Sequence, residues 1–250
     1  MGVGMGTGRS ALVTGGAQGI GAAYARALAG AGYAVALLDV TDPSGVVAEL
    51  TAGGGRAAGY AADVTDEGAV GAAVGDIVAT WGSLDVLVNN AALFATIVKK
   101  PFEQIELEEF ERVLRINVTG QFVCAKAVVP FMKERGWGRI VNVSSGAALK
   151  GLPFFLHYVA SKGAVVSMTR GLARELGGAG ITVNALAPGL TMSESVRSNP
   201  DLANAPMQDR AIAREENPED LVGTLLWLCS EGAAFVTGQT IVVDGGSFML

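Results

Sequence analysis

Short apolar runs recur along this 250-residue chain with a helix-length segment between most of them, and that alternation leaves few folds open. The runs lie at 11–14, 34–39, 57–61, 84–89, 139–143, 182–186 and 240–243. Unbroken apolar runs of this length suit strands buried on both faces. Helix-length segments fall near 19–31, 43–51, 66–81, 107–133, 156–176 and 218–230. Asp66 and Asn217 read as N-caps, with Pro218 at a first helical position. Parallel strands need helical crossovers, so the pattern predicts an α/β fold, doubly wound, with about seven parallel strands and helices on both faces. No Pro- or Gly-rich linker divides residues 1–250, which read as a single domain. Residues 190–216 are polar and broken by Pro200 and Pro206. They are too long for a plain connection and predict a mobile lid or substrate loop with short helices.

Composition removes several function classes. Net charge is −6 and no basic run appears, so no nucleic-acid partner is expected. His157 is the only histidine, which excludes a His-based metal cage and a Ser-His-Asp triad, and no metal is expected. Cys124 and Cys229 sit far apart in apolar helical patterns and read as reduced core residues. No stretch is long and apolar enough to span a membrane. Residues 1–8 lack a basic region followed by an apolar run, so they read as a loose N-terminal tail rather than a signal peptide. A cytoplasmic protein is the expectation.

The first strand runs into Thr14-Gly15-Gly16-Ala17-Gln18-Gly19-Ile20-Gly21 and then a helix. Glycines let the backbone turn sharply and approach a pyrophosphate at a helix N-terminus, which makes this a dinucleotide site of Rossmann type. The spacing is Gly-x-x-x-Gly-x-Gly; a glycine cluster alone could be a turn, but its place between strand and helix favours the binding role. Asp39 ends the second run, close to 20 residues beyond the last glycine, where an acid accepts bonds from the adenosine ribose. A carboxylate there repels a ribose 2′-phosphate, by roughly 4 kcal/mol at about 4 Å near a surface. No Arg or Lys stands at 16–18 or 40–41 to recruit that phosphate, so the expected cofactor is NAD. Asp63 and Val64 follow the third strand and suit the adenine edge; Asn89-Asn90-Ala91-Ala92 ends the fourth.

Tyr158 and Lys162 stand four residues apart on one helical face. A cation beside a phenol favours the phenolate and draws its pKa of about 10 towards working pH. An isolated pair of this kind is otherwise a packed tyrosine beside a snorkelling lysine.

Taken together these residues resemble the short-chain dehydrogenase/reductase family over nearly the whole chain, 10–246. The glycine loop, Asp63, Asn89-Asn90-Ala91, Asn117, Ser144-Ser145, Tyr158 and Lys162, Asn184, Pro188-Gly189 and Val243-Asp244-Gly245-Gly246 stand in the family's order and spacing. Ala92 departs from it, where the family usually has Gly. The resemblance implies an NAD-linked secondary-alcohol dehydrogenase with Asn117, Ser145, Tyr158 and Lys162 as its catalytic tetrad. Gly15, Gln18, Gly19, Ile20, Gly21, Asp39, Asp63, Val64, Asn90, Ala91, Tyr158, Lys162, Pro188, Gly189 and Thr191 would bind the cofactor. Lys162 would also hold the nicotinamide ribose, Thr191 the carboxamide, and Asn117 a water leading protons to solvent. Family members are usually tetramers, which implies a homotetramer built on the helices at 107–133 and 156–176 and on the apolar tail 247–250.

The expected substrate pocket is Leu93, Phe94, Ala147, Leu152, Phe155, Leu190 and Met192, with Leu149 and Phe154 beside them. It reads apolar and partly aromatic, with no arginine placed to clamp an anion. Lys99 and Lys100 read as a solvated rim and His157 as packing. A hydrophobic secondary alcohol and its ketone are the expected substrates. A 3-oxoacyl-carrier-protein reductase is the alternative enzyme, opposed by Asp39 because those usually use NADPH. A regulatory NAD-binding protein without catalysis would have no need of the retained Tyr and Lys.

Overall fold

In the computed structural model, the described residues are Gly6, 8–203 and 210–249. All seven apolar runs become strands: β1 (Ser10–Thr14), β2 (Ala34–Asp39), β3 (Ala57–Ala61), β4 (Val86–Asn89), β5 (Gly138–Val143), β6 (Ile181–Pro188) and β7 (Thr240–Val243). They form one parallel sheet in the order β3-β2-β1-β4-β5-β6-β7. The helices are α1 (Gly19–Gly30), α2 (Ser44–Ala52), α3 (Glu67–Trp81), α4 (Leu107–Leu114), α5 (Gly120–Arg135), α6 (Gly146–Lys150), α7 (Leu156–Leu176), α8 (Glu194–Arg197), α9 (Pro200–Ala203) and α10 (Pro218–Leu228).

Successive strand residues face opposite ways, so each buried strand serves two layers. Ala11 and Val13 of β1 pack with Leu28 of α1 and with Leu221 and Leu225 of α10. Leu12 faces the other way, among Val70 and Ile77 of α3 and Val123 and Val128 of α5. Truncating so enclosed a leucine to alanine costs about 2–5 kcal/mol. Both expected caps form. The Asp66 side chain accepts the Ala69 N–H at 3.0 Å, and Asn217 and Asp220 make a reciprocal capping box.

One helix was expected at 107–133, and the structure divides it. Between α4 and α5 the chain stays helical but widens into a π-turn at Arg115–Thr119. A π-turn lodges one extra residue in the hydrogen-bond ladder and is often found at functional sites. Asn117, fully buried, is in it.

The segment expected as a lid contains α8 and α9, and its residues 204–209 lie outside the described ones. Its two ends are tied: Thr191 and Glu216 form a parallel bridge, and the Met192 N–H donates to the Glu216 carbonyl at 2.7 Å. In the tail expected to be loose, residues 1–5 and 7 lie outside the described ones. Gly6 is buried and donates its N–H to the Ala31 carbonyl at 2.9 Å. Among the described residues no helix is long and apolar enough to cross a membrane, and no cluster of His, Cys, Asp and Glu could hold a metal.

Candidate active site

From β1 the chain passes to β2 on one side, while β4 pairs on the other. Connections diverge there, which opens a crevice beyond the carboxyl ends of the strands. A cleft of about 350 Å³ occupies it, lined from the glycine loop through Asp39, Asp63 and Asn90 to Tyr158, Lys162 and Thr191.

The loop needs its glycines. Gly15 and Gly19 have φ of 64° and 55°, and a Cβ on Gly21 would lie 1.9 Å from the Gly15 carbonyl oxygen. The first turn of α1 carries no acid and Gln18 makes no side-chain cap, so its N–H groups remain for an anionic phosphate. Asn90 holds the loop from behind, donating to the carbonyls of Thr14 and Gly15 at 3.0 and 3.1 Å. The Thr14 hydroxyl oxygen accepts the N–H of Asn90 and of Ala91, each at 3.0 Å. The Asn90 amide is thus spent on the loop, and Ala91 borders the cleft.

At the far side of the loop, the two Asp39 oxygens accept the N–H of Ala17 and of Thr41, each at 3.0 Å. An ionised carboxylate has about four acceptor sites, so capacity for ribose hydroxyls remains. Asp63 and Val64 border the same end. Lys162 is the only cation lining the cleft among the described residues.

At the other end, Tyr158 and Lys162 stand one turn apart on α7, with the Lys162 Nζ 5.8 Å from the phenol ring centroid. Nζ donates to the Val143 carbonyl at 2.8 Å, which pins the lysine across the carboxyl end of β5. Ser145 caps α6, a helix too short for the sequence to have announced, and its Oγ accepts the Ala147 N–H at 3.2 Å. That bond leaves the Ser145 hydroxyl proton to donate elsewhere. Ser144 turns away, donating to the Lys162 carbonyl at 2.9 Å.

Asn117 borders neither this cleft nor the cavity beside it. Its Oδ1 accepts the Leu93 N–H at 2.7 Å, and its Nδ2 donates to the Leu93 carbonyl at 3.1 Å and the Ser161 Oγ at 3.0 Å. The amide clamps the chain after β4 to α7.

The electrostatics differ from what the pair alone suggests. Burial pushes the Tyr158 phenol up to about 12, with a hydrogen bond to Ser145 offsetting part of the rise. Burial likewise draws the Lys162 ammonium down to about 7. The protein's own groups therefore leave the phenol protonated at neutral pH. Bringing it from about 12 to 7 needs roughly 7 kcal/mol of preferential phenolate stabilisation. That exceeds the roughly 4 kcal/mol expected from an unburied phenol.

A second cavity of about 260 Å³ opens off this end, sharing Phe94, Ser145 and Gly189 with the cleft. Ala147, Leu152, Phe155, Leu190 and Met192 line it. Leu93 borders the cleft instead, Leu149 faces a separate groove, and Phe154 is 60% exposed with φ 62°. The Phe155 ring lies 4.8 Å from that of Tyr158, and Phe94 lies 5.1 Å from it. The wall is not wholly apolar: Lys99, Lys150 and Arg210 line the cavity with Glu215 and Asp244. These come from separate segments and had no shared sequence signal. Glu216 was also missed; it is buried, and its Oε1 accepts the Thr191 hydroxyl at 2.6 Å. Burial raises the Glu216 carboxyl, and Thr191 and Arg210 offset part of that. His157 is fully buried, its Nε2 3.3 Å from Glu109.

A family model described as Enoyl-(Acyl carrier protein) reductase matches residues 15–247. The 3-oxoacyl-[acyl-carrier-protein] reductase of Synechocystis sp. is 38% identical, the alignment covering 97% of this chain and 98% of that protein. The cis-4-hydroxycyclohexanecarboxylate dehydrogenase of Sinomonas cyclohexanicum is 40% identical, over 95% of this chain and 96% of its own. A crystal structure from Beutenbergia cavernae, described as that of an NAD(P) dependent gluconate 5-dehydrogenase with NADP bound at low occupancy, superposes with a TM-score of 0.90. It is 36% identical, covering 98% of this chain and 99% of that one.

Proposed function

The chain belongs to the short-chain dehydrogenase/reductase family of nicotinamide-dependent oxidoreductases, and on that premise we propose that it interconverts a hydrophobic secondary alcohol and its ketone with NAD(H). One observation carries this reading: Tyr158, Ser145 and Lys162 meet where a largely apolar cavity opens off the cleft. Gly15, Gln18, Gly19, Ile20 and Gly21 would hold the pyrophosphate, Asp39 the adenosine ribose, and Lys162, Pro188, Gly189 and Thr191 the nicotinamide end. A cofactor bound there supplies the hydride and, when oxidised, a positive charge near the phenol.

The remaining steps belong to the chain. The Ser145 hydroxyl, its oxygen already accepting the Ala147 N–H, donates to the substrate oxygen and holds it against Tyr158. Tyr158 removes the alcohol proton in oxidation and returns it to the forming alkoxide in reduction. In its protonated form Lys162 places a positive charge near the phenolate while its Nζ remains anchored on Val143. Asn117 fixes the backbone at Leu93 and, through Ser161, the turn of α7 that carries Tyr158.

NAD rather than NADP is supported by Asp39 and by the lack of any cation but Lys162 in the cleft wall among the described residues. The Synechocystis relative supports a second reading, reduction of a 3-oxoacyl thioester. Turnover of a panel of cyclic, aryl and 3-oxoacyl thioester ketones with NADH and with NADPH tests both. Hydrophobic ketones with NADH are expected to lead. Faster turnover with NADPH refutes the Asp39 argument, a thioester preference selects the second reading, and tight NAD binding without turnover of anything points to a non-catalytic protein. We read the chain as one functional unit and as a homotetramer. Exposed Leu107 on α4 and Phe122 on α5 support that assembly, which light scattering tests.

A further inference from the structure

Three cations from separate stretches reach the wall of the 260 Å³ cavity: Lys99 after β4, Lys150 on α6 and Arg210 ahead of α10. They are not equivalent. The Arg210 side chain is only 7% exposed and already committed. It donates to the Leu190 carbonyl at 2.7 Å and the Arg214 carbonyl at 3.2 Å and faces Glu216 at 3.6 Å. Lys99 and Lys150 are exposed and pair with no carboxylate among the described residues.

Lys150 donates to the Ser247 hydroxyl, and an ammonium has three donors, so two remain. The Lys99 Nζ lies 5.9 Å from the Phe155 ring centroid, on the ring that neighbours Tyr158. The carboxylates of the wall are occupied otherwise. Glu215 pairs with Arg197 at 2.9 Å. Asp244 Oδ1 accepts the N–H of Gly246 and Ser247, each at 3.0 Å. Its Oδ2 is buried towards Gly146 rather than offered to the lysines.

The cavity is therefore apolar beside the reacting groups and cationic at its rim. Resting on the reading of Ser145 and Tyr158 as the carbonyl site, we propose that the substrate is a small hydrophobic alcohol or ketone with an anionic group, carboxylate or sulfonate, remote from the reacting carbon. Lys99 and Lys150 are the pair that receives that group. The Phe155 ring neighbours both the phenol and the Lys99 ammonium, so a substrate body of about one ring can reach from one to the other. A volume near 260 Å³ falls just below the roughly 300–1,000 Å³ of pockets for drug-sized ligands, which agrees with a substrate of that size. An uncharged ketone of the same shape leaves both ammonium groups in water. Exposed ion pairs are individually weak, and two charge-assisted contacts together give about tenfold discrimination.

The test compares 4-oxocyclohexanecarboxylate with its carboxamide as substrates of the NADH-loaded enzyme. The wild-type protein is expected to favour the carboxylate about tenfold in kcat/KM. In the Lys99→Gln/Lys150→Gln double variant that ratio should fall towards one. A wild-type ratio of one or less, or a ratio that survives in the variant, overturns the proposal. If neither ketone is reduced, the carbonyl-site reading fails for this substrate shape, and calorimetry of cyclohexanecarboxylate binding to the NADH complex decides the anion site by itself. Binding lost in the double variant sustains it; no binding, or equal binding in both proteins, overturns it.

Discussion

Thr191 donates its hydroxyl proton to Glu216 across 2.6 Å, and both side chains are buried beside Gly189. With that proton committed, the Thr191 oxygen offers only lone pairs to the cleft, which suits an amide N–H donor such as a nicotinamide carboxamide. Glu216→Ala is expected to weaken NADH binding about tenfold, with a smaller loss in kcat, because the hydroxyl is then free to rotate. Glu216→Gln keeps an acceptor and should bind NADH within about threefold of wild type. Titration of NADH fluorescence separates the two; equal affinities in wild type and Glu216→Ala would show that the contact does not orient Thr191.

Asp39 sets the cofactor choice by charge, in the proposed reading. Asp39→Asn keeps the shape and an acceptor for the Ala17 N–H while removing the charge. The ratio of kcat/KM for NADP over NAD should rise by about tenfold or more, a figure discounted for the partial exposure of the site. An unchanged ratio would place the discrimination elsewhere.

Tyr158→Phe removes the proposed proton carrier and little else, since the ring remains packed against Phe94 and Phe155. Turnover should fall to background while the NADH dissociation constant moves by less than about threefold. Retained turnover would sink the mechanism.

Lys162 makes stability depend on pH. Its folded pKa of about 7 lies below the unfolded value of about 10.4, so the folded state binds fewer protons between those limits. Stability of the cofactor-free protein therefore rises with pH across that window, and Lys162 adds no slope below about 7. Lys162→Met should remove the slope and stabilise the cofactor-free protein at pH 7 by roughly 4 kcal/mol, net of the lost Val143 contact. That is a Tm gain on the order of 10 °C, shrinking as pH approaches 10. Thermal melts of both proteins across that range check the sign.

Asn117→Ala leaves the Leu93 N–H and carbonyl without partners and should cost about 2–4 kcal/mol. Tm and kcat/KM are expected to fall together, because the same amide holds both the chain beside the cleft and Ser161. A variant with wild-type Tm would show that the clamp carries no stability.

What could be read in advance follows physical lines. The strands were legible because strands buried on both faces must be apolar throughout. The loop at Gly15–Gly21 was legible because backbone this close to backbone tolerates no side chain. Nothing in Arg-Ile-Asn-Val-Thr at 115–119 marks a π-turn, since no Gly or Pro stands there. Family order placed Asn117 in the site but not its commitment to Leu93, because a partner 24 residues away is fixed by the fold. Lys99 read as rim and Arg210 went unremarked for the same reason: only tertiary packing brings them, with Lys150, to one wall.

The widened turn between α4 and α5 also has a bearing on how such a chain can change. Removing one of its residues would restore a regular ladder and turn everything downstream by about 100°. Val123, Cys124, Val128 and Met132 would then leave the sheet face that they now fill. Gain or loss of that single residue is thus a step with no small intermediate, and the turn acts as a phase lock between the half of the helix that serves the site and the half that serves the core.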